Sequence, residues 1–157
     1  VDTNGAGSLA ARAQARREAL LDQQTTIIEV PGFEGILAME YRAMSYGEGR
    51  KINQRHERQR DDATRELYVA ADQLIAASVN ALELDGTEAT PLDLRWGAEL
   101  AQRLGIDVEG MTARQAMMAC FVRDTFLTRH WADYIEWLST ATADVDEEQA
   151  QDFQVTS

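Results

Sequence analysis

Cysteine occurs once, at Cys120, so no internal disulfide can staple the chain and its core must be held by packing. The surrounding run, Ala116-Met117-Met118-Ala119-Cys120-Phe121-Val122, is apolar, and a thiol there behaves as a small hydrophobe with a raised pKa, not as a nucleophile. Histidine is nearly as scarce. His56 and His130 are far apart, and neither has a cysteine or a second histidine at ligand spacing, so no metal site is expected. His56 sits among charged residues and reads as surface, whereas His130 precedes Trp131 and reads as a packing or capping residue. No apolar run approaches the roughly 20 residues that span a bilayer, and the N-terminus lacks the residue order of a signal peptide, so the expectation is neither membrane insertion nor secretion. Val1 reads as a literal GUG start or as a residue left by processing.

Basic charge is also in short supply. Fifteen Lys and Arg face 27 Asp and Glu, a net charge of −12, which disfavours the phosphate neutralisation that sequence-independent nucleic-acid binding requires. The basic residues that exist cluster at Arg50, Lys51, Arg55, Arg58, Arg60 and Arg65, interleaved with Glu48, Glu57, Asp61, Asp62 and Glu66. That pattern reads as a solvated helix face with local ion pairs worth about 0.3–0.5 kcal/mol each, or as a surface for an acidic partner. Gly47-Glu48-Gly49-Arg50-Lys51 lacks the glycine spacing and the following Ser or Thr of a phosphate-binding loop. Adjacent acids such as Asp61-Asp62 and Glu147-Glu148 do not face one another to share a proton. Neither an enzyme nor a cofactor-binding protein is expected.

What is present is a folded middle with 45% hydrophobic residues. Residues 1–24 read as an arm, partly helical over Leu9 to Gln23, with a thin apolar stripe of Leu9, Ala13, Leu20 and Leu21. Residues 25–142 read as a β-hairpin plus a helical domain. Strands at Ile27–Val30 and Ile36–Tyr41 flank the turn residues Pro31-Gly32-Phe33-Glu34-Gly35, with Leu37, Met39 and Tyr41 on one face at period two. Ser45-Tyr46-Gly47-Glu48 is a capping box opening a helix towards Gln59. Leu67, Ala71, Leu74, Ile75, Ser78 and Leu82 follow helical spacing from Thr64 until Asp85-Gly86, and Gly86 to Thr90 reads as a loop. A shorter helix is predicted over Leu92 to Leu104, with Trp96, Leu100 and Leu104 at intervals of four. Thr112-Ala113-Arg114-Gln115 is a second capping box, opening a helix to Leu127, and Trp131, Tyr134, Ile135 and Leu138 share one face of a final helix reaching about Ser139, continuous with it or broken near Thr128. Residues 143–157 carry Asp144, Asp146, Glu147, Glu148 and Asp152 with no basic residue and read as a disordered acidic tail. The fold class predicted is therefore mainly α, a helical domain with one N-terminal β-hairpin, a flexible arm and a disordered tail.

The segment from Glu29 to Arg42, with its Val30-Pro31-Gly32-Phe33-Glu34-Gly35 turn, its strand ending in Tyr41-Arg42 and the Ser45-capped helix that follows, resembles tail assembly chaperones of long-tailed actinobacteriophages. The order of parts is similar over roughly Thr25 to Asp152. The resemblance implies a non-enzymatic protein of the host cytoplasm, absent from the mature virion, that binds the tape measure protein and keeps it soluble while the tail tube forms. It implies the tail tube protein as a further candidate partner, and in many such phages a ribosomal frameshift yields a longer second product, of which this chain would be the shorter form. Self-association is expected from the thin-striped arm and the hairpin edge. The alternative is a structural virion protein such as a head–tail connector or tail terminator. Candidate partner-binding residues are Phe33, Leu37, Met39 and Tyr41. Phe33, at the turn, is either tucked onto an adjacent helix or exposed for a partner.

Overall fold

The structure, a computed structural model, describes residues 7–156, with their side chains as far as Ala141. Along the chain come α1 (Leu9–Asp22), β1 (Thr25–Glu29), β2 (Leu37–Arg42), α2 (Tyr46–Arg55), α3 (Asp62–Ala77), β3 (Ser78–Asp85), β4 (Glu88–Pro91), α4 (Ala98–Arg103), α5 (Ala113–Ala119) and α6 (Asp124–Thr156). The strands form one antiparallel sheet in the order β1-β2-β3-β4. With 53% of the chain helical and 17% in strands, the fold is α/β, which corrects the expectation of a mainly α protein with a single hairpin.

The correction lies in β3 and β4. Ser78 and Leu82 are both buried, a spacing of four that imitates a helix face. They are strand residues all the same: a register shift at Glu40/Tyr41 interrupts the alternation, so Ser78 and Ala81 come to one face opposite Tyr41 and Met39, while Leu82 pairs with Ala38 on the other. The helix ends because Ser78 adopts extended backbone and its Oγ donates to the Ile75 carbonyl. Arg95 also donates to Ile75 O, and Arg95 and Arg42 both donate to the next terminal carbonyl of α3, Ala76 O. Asp85-Gly86, read as a helix stop, is a hairpin turn: Asp85 pairs with Glu88 across two residues, and Gly86 supplies the positive φ of 63° that the first loop position requires.

The predicted helix over Leu92 to Leu104 is likewise halved. Leu92 and Leu94 exchange backbone hydrogen bonds with Ala81, prolonging the pairing beyond β4, and only Ala98–Arg103 is helical. The helix expected to run from Thr112 to Leu127 stops at Ala119, and α6 begins at Asp124, so the break precedes Thr128. Both capping boxes form, Ser45 with Glu48 and Thr112 with Gln115. Helix α1 is capped by Ser8 and buries none of its residues. The acidic segment 143–157, predicted as a disordered tail, lies outside the residues whose side chains are described, and α6 carries helical backbone to Thr156.

Helices α3 and α6 cover the face of the sheet that presents Leu37, Met39 and Tyr41. The core continues through Leu74, Trp96, Leu100, Met117, Phe121, Leu127 and Tyr134, joining sheet to helices in one cluster.

Candidate functional site

Of the four residues proposed for partner contact, three are core. Leu37 is 2% exposed and Met39 and Tyr41 are fully buried, so in this conformation the chain itself covers them. Phe33 is half-buried and packs against the core cluster, the tucked arrangement of the two foreseen for it. Its loop is fastened: the Phe33 carbonyl accepts from Ile36 N and Leu37 N, Gly32 N donates to Glu34, and Gly35 N donates to Glu29. Gly32 has φ 91°, a backbone conformation that strains any side chain, and it lies beside Phe126 at the start of α6 and Val122 just before it.

The polar side chains buried under the sheet are spent on each other. The Tyr41 hydroxyl accepts from Trp96 Nε1 at 2.7 Å and lies 2.7 Å from His130 Nε2. An indole can only donate, so the hydroxyl accepts from Trp96; giving its own proton to His130 Nε2, with the histidine as the neutral Nδ1–H tautomer, is the arrangement that uses the hydroxyl as both donor and acceptor. Burial pushes the His130 pKa down to about 4. The Glu29 backbone pulls the other way, and Nδ1 is left without a hydrogen bond of ordinary geometry. Burial pushes the Cys120 thiol up to about 12, and its Sγ–H donates to Ala116 O. These groups brace the core.

A second cluster ties α2, α3 and α5 together. Asp72, 8% exposed, accepts two hydrogen bonds from Arg114 at 2.8 Å each and lies 2.7 Å from His56 Nε2. Burial pushes the Asp72 carboxyl up, but the bonds from Arg114 and His56 together outweigh it and hold the pKa below the ordinary carboxylate range. Arg114 also stacks over Tyr68, with 4.8 Å to the ring centroid. Bidentate Arg–carboxylate geometry at an inter-helix joint is a brace. His56, read from sequence as surface, is buried by this pairing. Among the described residues no group of three or more His, Cys, Asp or Glu is placed to hold a metal ion, and no helix is long and apolar enough to cross a membrane.

The open feature is a groove bounded by α2, α3 and α6, with α1 at one end. It consists of two adjoining hollows of about 780 and 750 Å³ that share Asn53, Gln73 and Ile135. Val69, Trp131 and Ile135 line one half, and Leu21, Met44, Ile135 and Leu138 the other. Tyr46, 83% exposed, stands on the rim. Gln73 belongs to both halves and is only 6% exposed. Its Oε1 accepts from Trp131 Nε1 at 2.8 Å, while its Nε2 has no hydrogen-bond partner among the described residues. The sequence signalled the apolar wall, since Trp131, Ile135 and Leu138 share a helix face. It could not signal Gln73, whose role follows only from where α3 crosses α6.

Comparison with family models, with curated proteins and with solved structures finds no match to the chain.

Proposed function

We propose that the chain is a tail assembly chaperone of a long-tailed phage, acting without catalysis in the host cytoplasm by binding the tape measure protein and keeping it soluble. The observation that carries the protein-binding part is the groove: apolar side chains from α3 and α6 left open to solvent, with the free amide donor of Gln73 between them. Grooves of this kind accept the apolar face of an amphipathic helix. The phage assignment is supported by the Val30–Gly35 turn, the Tyr41-Arg42 strand end and the Ser45-capped helix, the residues that carry the resemblance. A net charge of −12 keeps a complex with an apolar, helical partner in solution. A second copy of the chain is a further proposed partner, since β1 is an edge strand with Ile27 57% exposed.

The test is co-expression with the tape measure protein encoded by the same phage, followed by affinity purification at low and moderate salt. Co-elution is expected at both. Failure of the unmodified pair to co-purify at either salt would end the assignment. Mass spectrometry of purified virions adds the second arm: stoichiometric recovery of the chain would favour a connector or tail terminator instead.

A further inference from the structure

We infer that the groove takes an amphipathic helix of a partner protein in one direction, its acidic N-terminal end beside Arg17 and Arg50 and its basic C-terminal end beside Glu57 and Glu66. This deepens the protein-binding reading above and rests on it. The groove is electrically polar along its length. Arg17 and Arg50 line the half beside α1, where no acid contributes to the wall, whereas Glu57 and Glu66 line the other half. None of these four charges has an ion-pair partner among the described residues. Asp62 and Arg65, which also line the acidic half, neutralise one another. A helix that begins acidic and ends basic matches both ends, and it is also the charge order that a helix favours against its own dipole. Lying so, it runs parallel to α2, which passes from the basic half at Arg50 towards the acidic half at Glu57.

Two features of the groove floor fit a helix-sized occupant. Gln73 is more than nine-tenths buried, and its free Nε2 is a donor that a side-chain carbonyl or hydroxyl on the incoming helix can satisfy. Gly49, inside α2, forms part of the wall; a Cβ there would meet Met44 Sδ at 3.7 Å and Gln73 Nε2 at 3.8 Å, ordinary contact distances. A helix-interior glycine weakens its own helix relative to most residues, yet here it keeps the wall low where the occupant must approach. A larger side chain at Gly49 would grow into the groove without straining the backbone.

The experiment uses the full chain and two end-capped, fluorescently labelled peptides of roughly 18 residues, about 27 Å of helix. Each carries an apolar stripe at helical spacing; one begins with Glu and ends with Lys, and the other has these charges exchanged. Anisotropy titration is expected to show the acid-first peptide binding tighter to the natural chain. Gly49→Leu is expected to weaken that peptide about tenfold or more while the melting temperature holds or rises. Arg17→Glu with Arg50→Glu is expected to weaken the acid-first peptide and to strengthen the base-first peptide relative to the natural chain, a comparison made within each peptide so that differences in helicity cancel. Equal binding of both peptides to all three proteins, or full binding by a folded Gly49→Leu, would overturn the inference. Co-purification of the tape measure protein equally well with natural and Gly49→Leu chains would sink the site while leaving the chaperone reading standing. Peptide discrimination without any co-purification would do the reverse.

Discussion

Replacing Tyr41 with Phe removes one oxygen and unpairs two buried groups. The ring stays packed against Tyr134 and His130, with centroids 5.2 and 5.5 Å away, so little packing is lost. Trp96 Nε1 loses its acceptor and His130 Nε2 loses its hydrogen-bond partner, both at 2.7 Å and both inside the core. A buried polar group left unsatisfied costs about 1–3 kcal/mol, and part of that is offset because the hydroxyl need no longer be desolvated, for a net loss of about 2–4 kcal/mol. At about 2–4 °C per kcal/mol for a chain of this size, the melting temperature should fall by roughly 4–16 °C, read by circular dichroism. Tyr134→Phe is the control. Tyr134 is equally buried but makes one bond, to the Arg42 carbonyl at 2.9 Å, so its loss should be smaller. Equal losses, or a Tyr41→Phe loss under about 0.5 kcal/mol, would refute the idea that the hydroxyl bridges two partners.

Stability should depend on pH through His130. Its pKa is depressed to about 4 in the fold against about 6.5 unfolded, so the unfolded chain binds the extra proton first. About 3 kcal/mol of stability, fully present above pH ~6.5, should be lost as pH falls towards ~4, and urea titrations across that window should show a decline that His130→Gln flattens. Asp72→Asn should cost about 2–4 kcal/mol, less than a fully buried pair because the Arg114 side chain keeps 32% of its exposure, and an unchanged urea midpoint would show that the cluster is ornamental. Light scattering at rising protein concentration should show self-association that Ile27→Lys on β1 reduces; a natural chain that stays monomeric removes that partner.

The elements most legible in the sequence were those with local chemistry. Ser45 with Glu48 and Thr112 with Gln115 open helices because each pair satisfies backbone N–H groups within one turn, and the Pro31–Gly35 turn joins two strands for similarly local reasons. What could not be read depended on partners distant in sequence. Ser78 to Leu84 fits a helix until β2 is beside it, and the two-residue Gly86-Thr87 turn reads as a stop until β4 pairs back. The same holds for the site. Leu37, Met39 and Tyr41 alternate as one apolar face of a hairpin, which demands a cover but does not say whether a partner or the chain itself supplies it; here α3 and α6 lie over them. Gln73 and Gly49, from different helices, lie so close in the groove that a Cβ on Gly49 would meet Gln73 Nε2 at 3.8 Å, a proximity that no spacing along the chain announces.

The most direct measurement of the central claim is the soluble fraction of the tape measure protein expressed alone, with the natural chain, and with Gly49→Leu. The account predicts aggregation alone, soluble complex with the natural chain, and a return to aggregation with a Gly49→Leu chain that is itself folded and soluble. A tape measure protein that is as insoluble beside the natural chain as it is alone would contradict the account.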